Sequence, residues 1–317
     1  MLVKPFLAKC SDRSSMPKSH PTSGNPEDWL SIELLLEQGL LGIAFDFFVD
    51  WSANPNKITP TIWVKRILKS EFTYDEIVAD LHNVLITEFG SEYLERLISF
   101  CTDCQLQLQL IIFRDDFDWV NPLSEILVVN LSNNNQQDLV NDHSIISIEI
   151  FKELIRNNSG GPVQIGSKTL IYGTSGLECY LSGTNSLYPG DVDLIALDRS
   201  NKPVGILEFK KHTLDTPISK QRLKNYYPYP DGRKYNRLSI LKDYLSNESN
   251  TVPFFVIYYP TNSECTEGKL ELLQGATNNL STKATSNFAL PINNSQEEYS
   301  KMIDKLKKAI AYHYNQS

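Results

Sequence analysis

Residues 189–211 read PGDVDLIALDRSNKPVGILEFKK. Val192 to Leu197 and Val204 to Lys210 are runs of β-forming residues, and the Asp198-Arg-Ser-Asn-Lys-Pro203 between them is turn chemistry. The stretch is expected to form a β-hairpin with charged groups collected at one end. Side chains alternate along a strand, so Glu208 and Lys210 share one face while Leu207 and Phe209 take the other. Charges gathered beside buried apolar neighbours are costly unless something compensates them. A divalent cation and a phosphate would, because hard cations prefer carboxylate, carbonyl and water oxygens.

An Asp on one strand, a turn of variable length and Glu-x-Lys on the next strand resemble the PD-(D/E)xK, or restriction-endonuclease-like, nuclease superfamily. Asp193 lies fifteen positions before Glu208, and Lys210 is the third member of Glu-Phe-Lys. The resemblance implies that Asp193 and Glu208 bind Mg²⁺ or Mn²⁺, with the Phe209 carbonyl as a further ligand. It implies that Lys210 orients or helps deprotonate an attacking water, or serves as a point charge on the phosphate. The family often has Pro-Asp directly, whereas this chain has Pro189-Gly190-Asp191-Val192-Asp193, so Asp191 stays open as the alternative ligand. An additional upstream acid is common in the family; Glu178 and Glu153 are the candidates. The expected reaction is Mg-dependent hydrolysis of phosphodiester bonds in nucleic acid, DNA in preference to RNA, with a restriction or defence role by analogy of family. The competing expectation is a nucleic-acid-binding or scaffolding protein of the same fold that has lost turnover.

Charge gives an independent line. The chain is acidic overall, net −8, but from Arg199 to Lys242 eleven Lys or Arg stand against three acids. That segment is +8 and leaves the remainder at −16. Lys211, Lys220, Arg222, Lys224, Arg233 and Lys234 are the candidate nucleic-acid contacts in this zone. Tyr226, Tyr227, Tyr229 and Tyr235 are interleaved among them, as base stacking needs.

Residues 1–25 are expected to be a flexible tail without signal-peptide character, and no window approaches the roughly 20 apolar residues of a membrane span. A cytoplasmic protein with no membrane contact is expected. From Pro26 a mainly helical accessory or recognition domain is expected to 140, with helices at 75–89 and 91–101 and strands at 105–113 and 125–131. It would take an effector or protein partner. The nuclease-like domain would fill 141–317 after an Asn/Gln-rich linker at 132–142. Its elements are a helix at 144–157, strands at 163–165 and 169–172, the motif hairpin, a helix at 233–245 and a strand at 252–259. This α-β-β-β-α-β order is that of the superfamily core, so the fold class is α/β with a mixed sheet. A last helix, 296–314, starts at a capping box, Ser295 to Glu298; its apolar stripe is expected in the core in preference to a dimer surface, with a homodimer as the alternative.

Cys101-Thr-Asp-Cys104 is half of a zinc-type site without a second pair, and the five cysteines are expected as free thiols. His212 is expected to be exposed. Gln221 and Tyr226 lie close to the pattern that some exonuclease branches of the superfamily place after Glu-x-Lys.

Overall fold

The hairpin expected over 189–211 forms, with Gly190–Leu197 antiparallel to Pro203–His212 and Leu207 opposite Leu194. The computed structural model describes residues 1–5, 8–10, 25–132, 139–163, 172–186, 188–212, 216–247, 250–261 and 264–316. Along the chain run β1 (Leu2–Val3), β2 (Ala8–Lys9), α1 (Pro26–Trp29), α2 (Ile32–Glu37), β3 (Leu41–Asp50), β4 (Lys57–Leu68) and α3 (Tyr74–Ala79). Next come α4 (Leu81–Phe89), α5 (Ser91–Asp103), β5 (Gln107–Phe113), β6 (Glu125–Leu131), β7 (Val140–Ser147) and α6 (Ile148–Asn158). The remainder is β8 (Tyr172–Gly173), α7 (Gly176–Ser182), β9 (Gly190–Leu197), β10 (Pro203–His212), α8 (Gly232–Leu245), β11 (Phe254–Pro260), β12 (Glu267–Ala276), β13 (Asn279–Ala289) and α9 (Gln296–Tyr314). Two 3-10 turns, Ile218–Lys220 and Leu223–Asn225, lie between β10 and α8. The fold is a mixed α/β one.

The chain divides into two compact units. Unit 1 holds Met1–Met16 and Phe45–Asp191, and unit 2 holds Pro17–Ala44 and Val192–Ser317. In unit 2 the strands follow the order β9, β10, β11, β12, β13. The β10–β11 pair is parallel and the others are antiparallel. The tight β12–β13 connection needs Gly275: its φ is +99°, and a Cβ there would sit 2.2 Å from the Asn279 carbonyl oxygen. Helix α9 starts where Ser295 Oγ accepts from the Glu298 amide, and it buries Met302, Ile303, Leu306 and Ile310. These meet Trp29, Leu30 and Leu35 of α1–α2 and Leu207, Phe255 and Leu272 of the strands in one core. At about 1.5–3 kcal/mol per buried large apolar side chain, that layer contributes far more than any cap.

Unit 1 has the strand order β3, β4, β5, β6, β7, with β4–β5 parallel and the rest antiparallel. Strand β1 adds to β4, and β2 pairs with β8. Its core joins Phe48, Trp63, Ile111, Phe113 and Ile126 to Ile148, Phe151 and Ile155 of α6 and Leu177 and Leu181 of α7.

Several expectations change. Residues 26–140 are not mainly helical, because the apolar stretch from Leu41 forms β3 and is followed by β4, β5 and β6. The units do not divide near 140: residues 141–191 go with unit 1, where α6 and α7 bury their apolar stripes, and α1–α2 go with unit 2. Of the strands expected at 163–165 and 169–172, residues 164–171 lie outside the described residues; Tyr172 pairs with β2, not with the motif hairpin. The sheet of unit 2 gains β12 and β13 in their place. Cys10 and Cys179 form a disulfide, whereas Cys101, Cys104 and Cys265 are free thiols. No helix among the described residues is long and apolar enough to cross a membrane.

Candidate active site

Asp193 and Glu208 meet across the β9–β10 hairpin. One step beyond the pair Leu194–Leu207, Glu208 comes opposite Asp193, and the Phe209 amide donates to Asp193 Oδ2 at 2.5 Å. Glu208 is fully buried, and its oxygens take ion pairs without a well-aligned hydrogen bond. Lys210 Nζ lies 3.2 Å from Glu208 Oε1. Lys234 Nζ, from the first turn of α8, lies 2.9 Å from Glu208 Oε2 and 3.5 Å from Asp193 Oδ1. The two carboxylates thus converge on one cationic nitrogen. A fully buried carboxylate without hydrogen bonds is tolerable only because two ammonium groups face it.

Lys210 is held as a cation. Burial presses it toward the neutral form, but the Glu208 charge and the 2.8 Å hydrogen bond to Asp231 Oδ2 outweigh this and raise its pKa above the usual lysine value. The ammonium lies 5.4 Å from the Tyr226 ring centre and 5.6 Å from that of Tyr235. Tyr226 in turn donates to Gln221 Oε1 at 2.9 Å, so Gln221 and Tyr226 do meet beside the lysine. Burial, with the charges of Asp193, Glu27 and Glu208, pushes the Tyr259 phenol well above its ordinary pKa.

The residue types fit a divalent cation in part. Two carboxylates already share one cation position, and the backbone of Phe209 adjoins them. Among the described residues no group of three or more His, Cys, Asp or Glu side chains is gathered to hold a metal. A bound cation would therefore rest on Asp193, Glu208, main-chain oxygen and water.

The other sequence candidates fall elsewhere. Asp191 is the last residue of unit 1, and its charge bears on Asp46 and Lys65. Glu178 belongs to unit 1 as well; Thr174 donates to it through both its amide and its hydroxyl. Glu153 is exposed on α6. His212 is not exposed but buried, its Nε2 meeting the Thr216 carbonyl at 2.8 Å and Thr216 Oγ1 at 2.9 Å. Lys211, Lys220, Arg222, Lys224 and Arg233 are exposed, as a phosphate-contacting set needs. Tyr227 and Tyr235 are buried, and Tyr229 is the exposed tyrosine of the set.

Lys234, expected as a nucleic-acid contact, instead turns inward to the two acids, and two further residues of the site, Asp231 and Glu271, are missing from the sequence reading. Lys234 bridges the carboxylates, Asp231 fixes Lys210, and buried Glu271 takes the Leu223 amide, the Tyr258 hydroxyl and Thr282 Oγ1 at 2.8, 2.6 and 2.5 Å. Glu271 thereby pins the turn next to Gln221. It also lines an 810 Å³ cavity with Lys220, Arg222 and Lys269. The one signal for the first two is their i, i+3 spacing at the start of α8.

No family model matches the chain, and neither a curated protein nor a solved structure matches it.

Proposed function

We propose that the protein is a metal-dependent nuclease of the restriction-endonuclease-like kind, with Asp193, Glu208 and Lys210 of unit 2 as its site. One observation carries the reading: Lys234 Nζ stands within 3.5 Å of Asp193 and 2.9 Å of Glu208, so two acids from neighbouring strands aim at a single cation position. A divalent cation there, Mg²⁺ or Mn²⁺, would supply an acidified water and offset charge on the phosphate. Asp193 is oriented for that role by the Phe209 amide, and Glu208 by its place on β10. Lys210, kept charged by Glu208 and Asp231, acts as a fixed positive point toward the phosphate, not as a base. Lys234 balances the charge of the two carboxylates, and its ammonium would have to give way for a divalent cation to be held by them. The exposed cations from Lys211 to Arg233 hold the polyanion, DNA in preference to RNA.

The test is incubation of the purified protein with linear, circular and single-stranded DNA and with RNA, in Mg²⁺, Mn²⁺ or EDTA. Cation-dependent cleavage that disappears in Glu208→Gln and in Lys210→Ala is the expected result. Absence of cleavage on every substrate, or cleavage indifferent to both substitutions, refutes it.

The position of Lys234 also favours a second reading. An ammonium that already satisfies Asp193 and Glu208 would suit a nucleic-acid-binding protein of the same fold without turnover. That reading predicts EDTA-insensitive binding and no product.

A further inference from the structure

The two units share one blueprint. In each, a long hairpin (β3–β4, β9–β10) is followed by helical structure and then by a seven-residue strand parallel to the hairpin's second strand. Two antiparallel strands and a closing helix complete both. Both closing helices are capped by a serine, Ser147 for α6 and Ser295 for α9.

The registers agree residue by residue. In unit 2 Glu208 lies opposite Val256, the third residue of β11, and Lys210 opposite Tyr258, the fifth. In unit 1 the third residue of β5, Gln109, lies opposite Trp63, and the fifth, Ile111, lies opposite Lys65. Across the hairpin Asp46 lies opposite Trp63, and one step beyond the pair Leu194–Leu207 brings Asp193 opposite Glu208. The places of Asp193, Glu208 and Lys210 are therefore held in unit 1 by Asp46, Trp63 and Lys65. A similar phrase precedes each hairpin, Glu27-Asp-Trp-Leu-Ser31 across the α1–α2 junction before β3 and Glu178-Cys-Tyr-Leu-Ser182 within α7 before β9.

We propose that unit 1 is a second copy of the unit 2 core whose metal site is defunct, silenced by Trp63 where the other copy has Glu208. The chemistry of unit 1 follows from that exchange. Trp63 cannot ligate a hard cation; its indole N–H instead donates to Gln109 Oε1 at 2.7 Å, and Gln109 Nε2 donates to Asn130 Oδ1 at 2.8 Å. Lys65 Nζ sits 3.2 Å from Asp46 Oδ2, the one acid at the three matched places of unit 1. The chain thus holds one working centre and one fossil of it. This inference rests on the nuclease reading for its working half and on strand register for its silent half.

The experiment counts Mn²⁺ bound per full-length chain, by electron paramagnetic resonance of the free ion, in the wild type and in single variants. One ion is expected in the wild type, none in Glu208→Ala, and one still in Asp46→Asn. Two ions, or loss of an ion in Asp46→Asn, overturns the silence of unit 1 while leaving the nuclease reading intact. No ion in the wild type overturns the nuclease reading, and with it the contrast between the copies. A second arm restores the missing acid, Trp63→Glu in the Glu208→Ala background. Regain of one ion is the expected result. A double variant that keeps its circular dichroism spectrum and takes no ion overturns the equivalence, and if it does not fold the counts on Asp46→Asn and Glu208→Ala still decide.

Discussion

At the level of the site, the row of side chains across unit 1 runs Asp46, Trp63, Gln109, Asn130, whereas in unit 2 it runs Asp193, Glu208, Val256, Glu271. The first row carries one acid and closes on neutral hydrogen bonds. The second carries three acids, two of them fully buried. Unit 2 keeps Lys210, Lys234, Asp231 and Lys269 around its row, while Arg96 is the one Lys or Arg in residues 74–103 of unit 1, the helical stretch corresponding to the one that supplies Lys234. The same backbone can thus be stabilised by a quiet polar row or by a loaded electrostatic one. Buried charge is the costlier choice, and unit 2 carries more of it in this row than unit 1 does.

The sharpest way to break this comparison is Glu208→Gln, which keeps the shape and removes the charge. Cleavage is expected to fall on the order of 10³-fold, measured as initial rate, while Gln109→Glu at the neutral row of unit 1 creates no activity. Next in size is a pH effect confined to unit 1. Burial, with the charges of Asp191 and Glu178, pushes the Asp46 carboxyl up to about 7 against the pull of Lys65. An acid whose folded pKa lies above its unfolded value contributes stability that is complete below about pH 4 and is lost as pH rises through about 7. Urea titrations from pH 4 to 8 should show that decline, on the order of a few kcal/mol, and Asp46→Asn should flatten it; an unchanged slope in the variant rejects it.

Smaller again is Lys234→Ala. It leaves Glu208 with Lys210 alone, and since Lys234 is 30% exposed the expected loss is about 1–2 kcal/mol in EDTA. Millimolar Mn²⁺ should recover that loss in thermal melts, whereas Lys65→Ala in unit 1 should show no such recovery. The least effect belongs to the exposed cations. Lys220→Ala and Arg222→Ala should each weaken nucleic-acid binding and lower the salt slope by about one unit; Lys57→Ala, an exposed lysine of unit 1, should leave the slope unchanged.

How much of this could be read in the chain varies by element. Val192–Leu197 and Val204–Lys210 announce a hairpin because β-formers flank strong turn chemistry, and the strand at 254–260 and helix at 296–314 are equally plain. Strand β3 was illegible for the opposite reason. Leu-Leu-Gly-Ile-Ala-Phe-Asp-Phe-Phe-Val is an apolar run interrupted by a charge only at Asp46, which suits a buried strand or a buried helix alike. Strand β13 hides behind Asn, Thr and Ser, since it is largely exposed and needs few apolar residues, and β12 hides behind the charges of Glu267, Lys269 and Glu271 set among its leucines. At the site, Asp193, Glu208 and Lys210 are close in sequence and stand out. Lys234 enters from a helix that only the fold brings back to β10. The likeness of the two units escapes a sequence reading because it lives in strand register; Trp63 stands where the motif would have shown.

The helices that precede the two hairpins have changed places: α1–α2 pack into the core of unit 2 and α7 into that of unit 1. Neither unit is therefore a contiguous stretch of chain. A stop codon anywhere between 159 and 175 takes Leu177 and Leu181 from the core of unit 1 and leaves Trp29 and Leu35 without the strands and helix they pack against in unit 2. For a chain built this way neither unit can be excised as one segment: the shortest contiguous fragment holding either also spans sequence of the other.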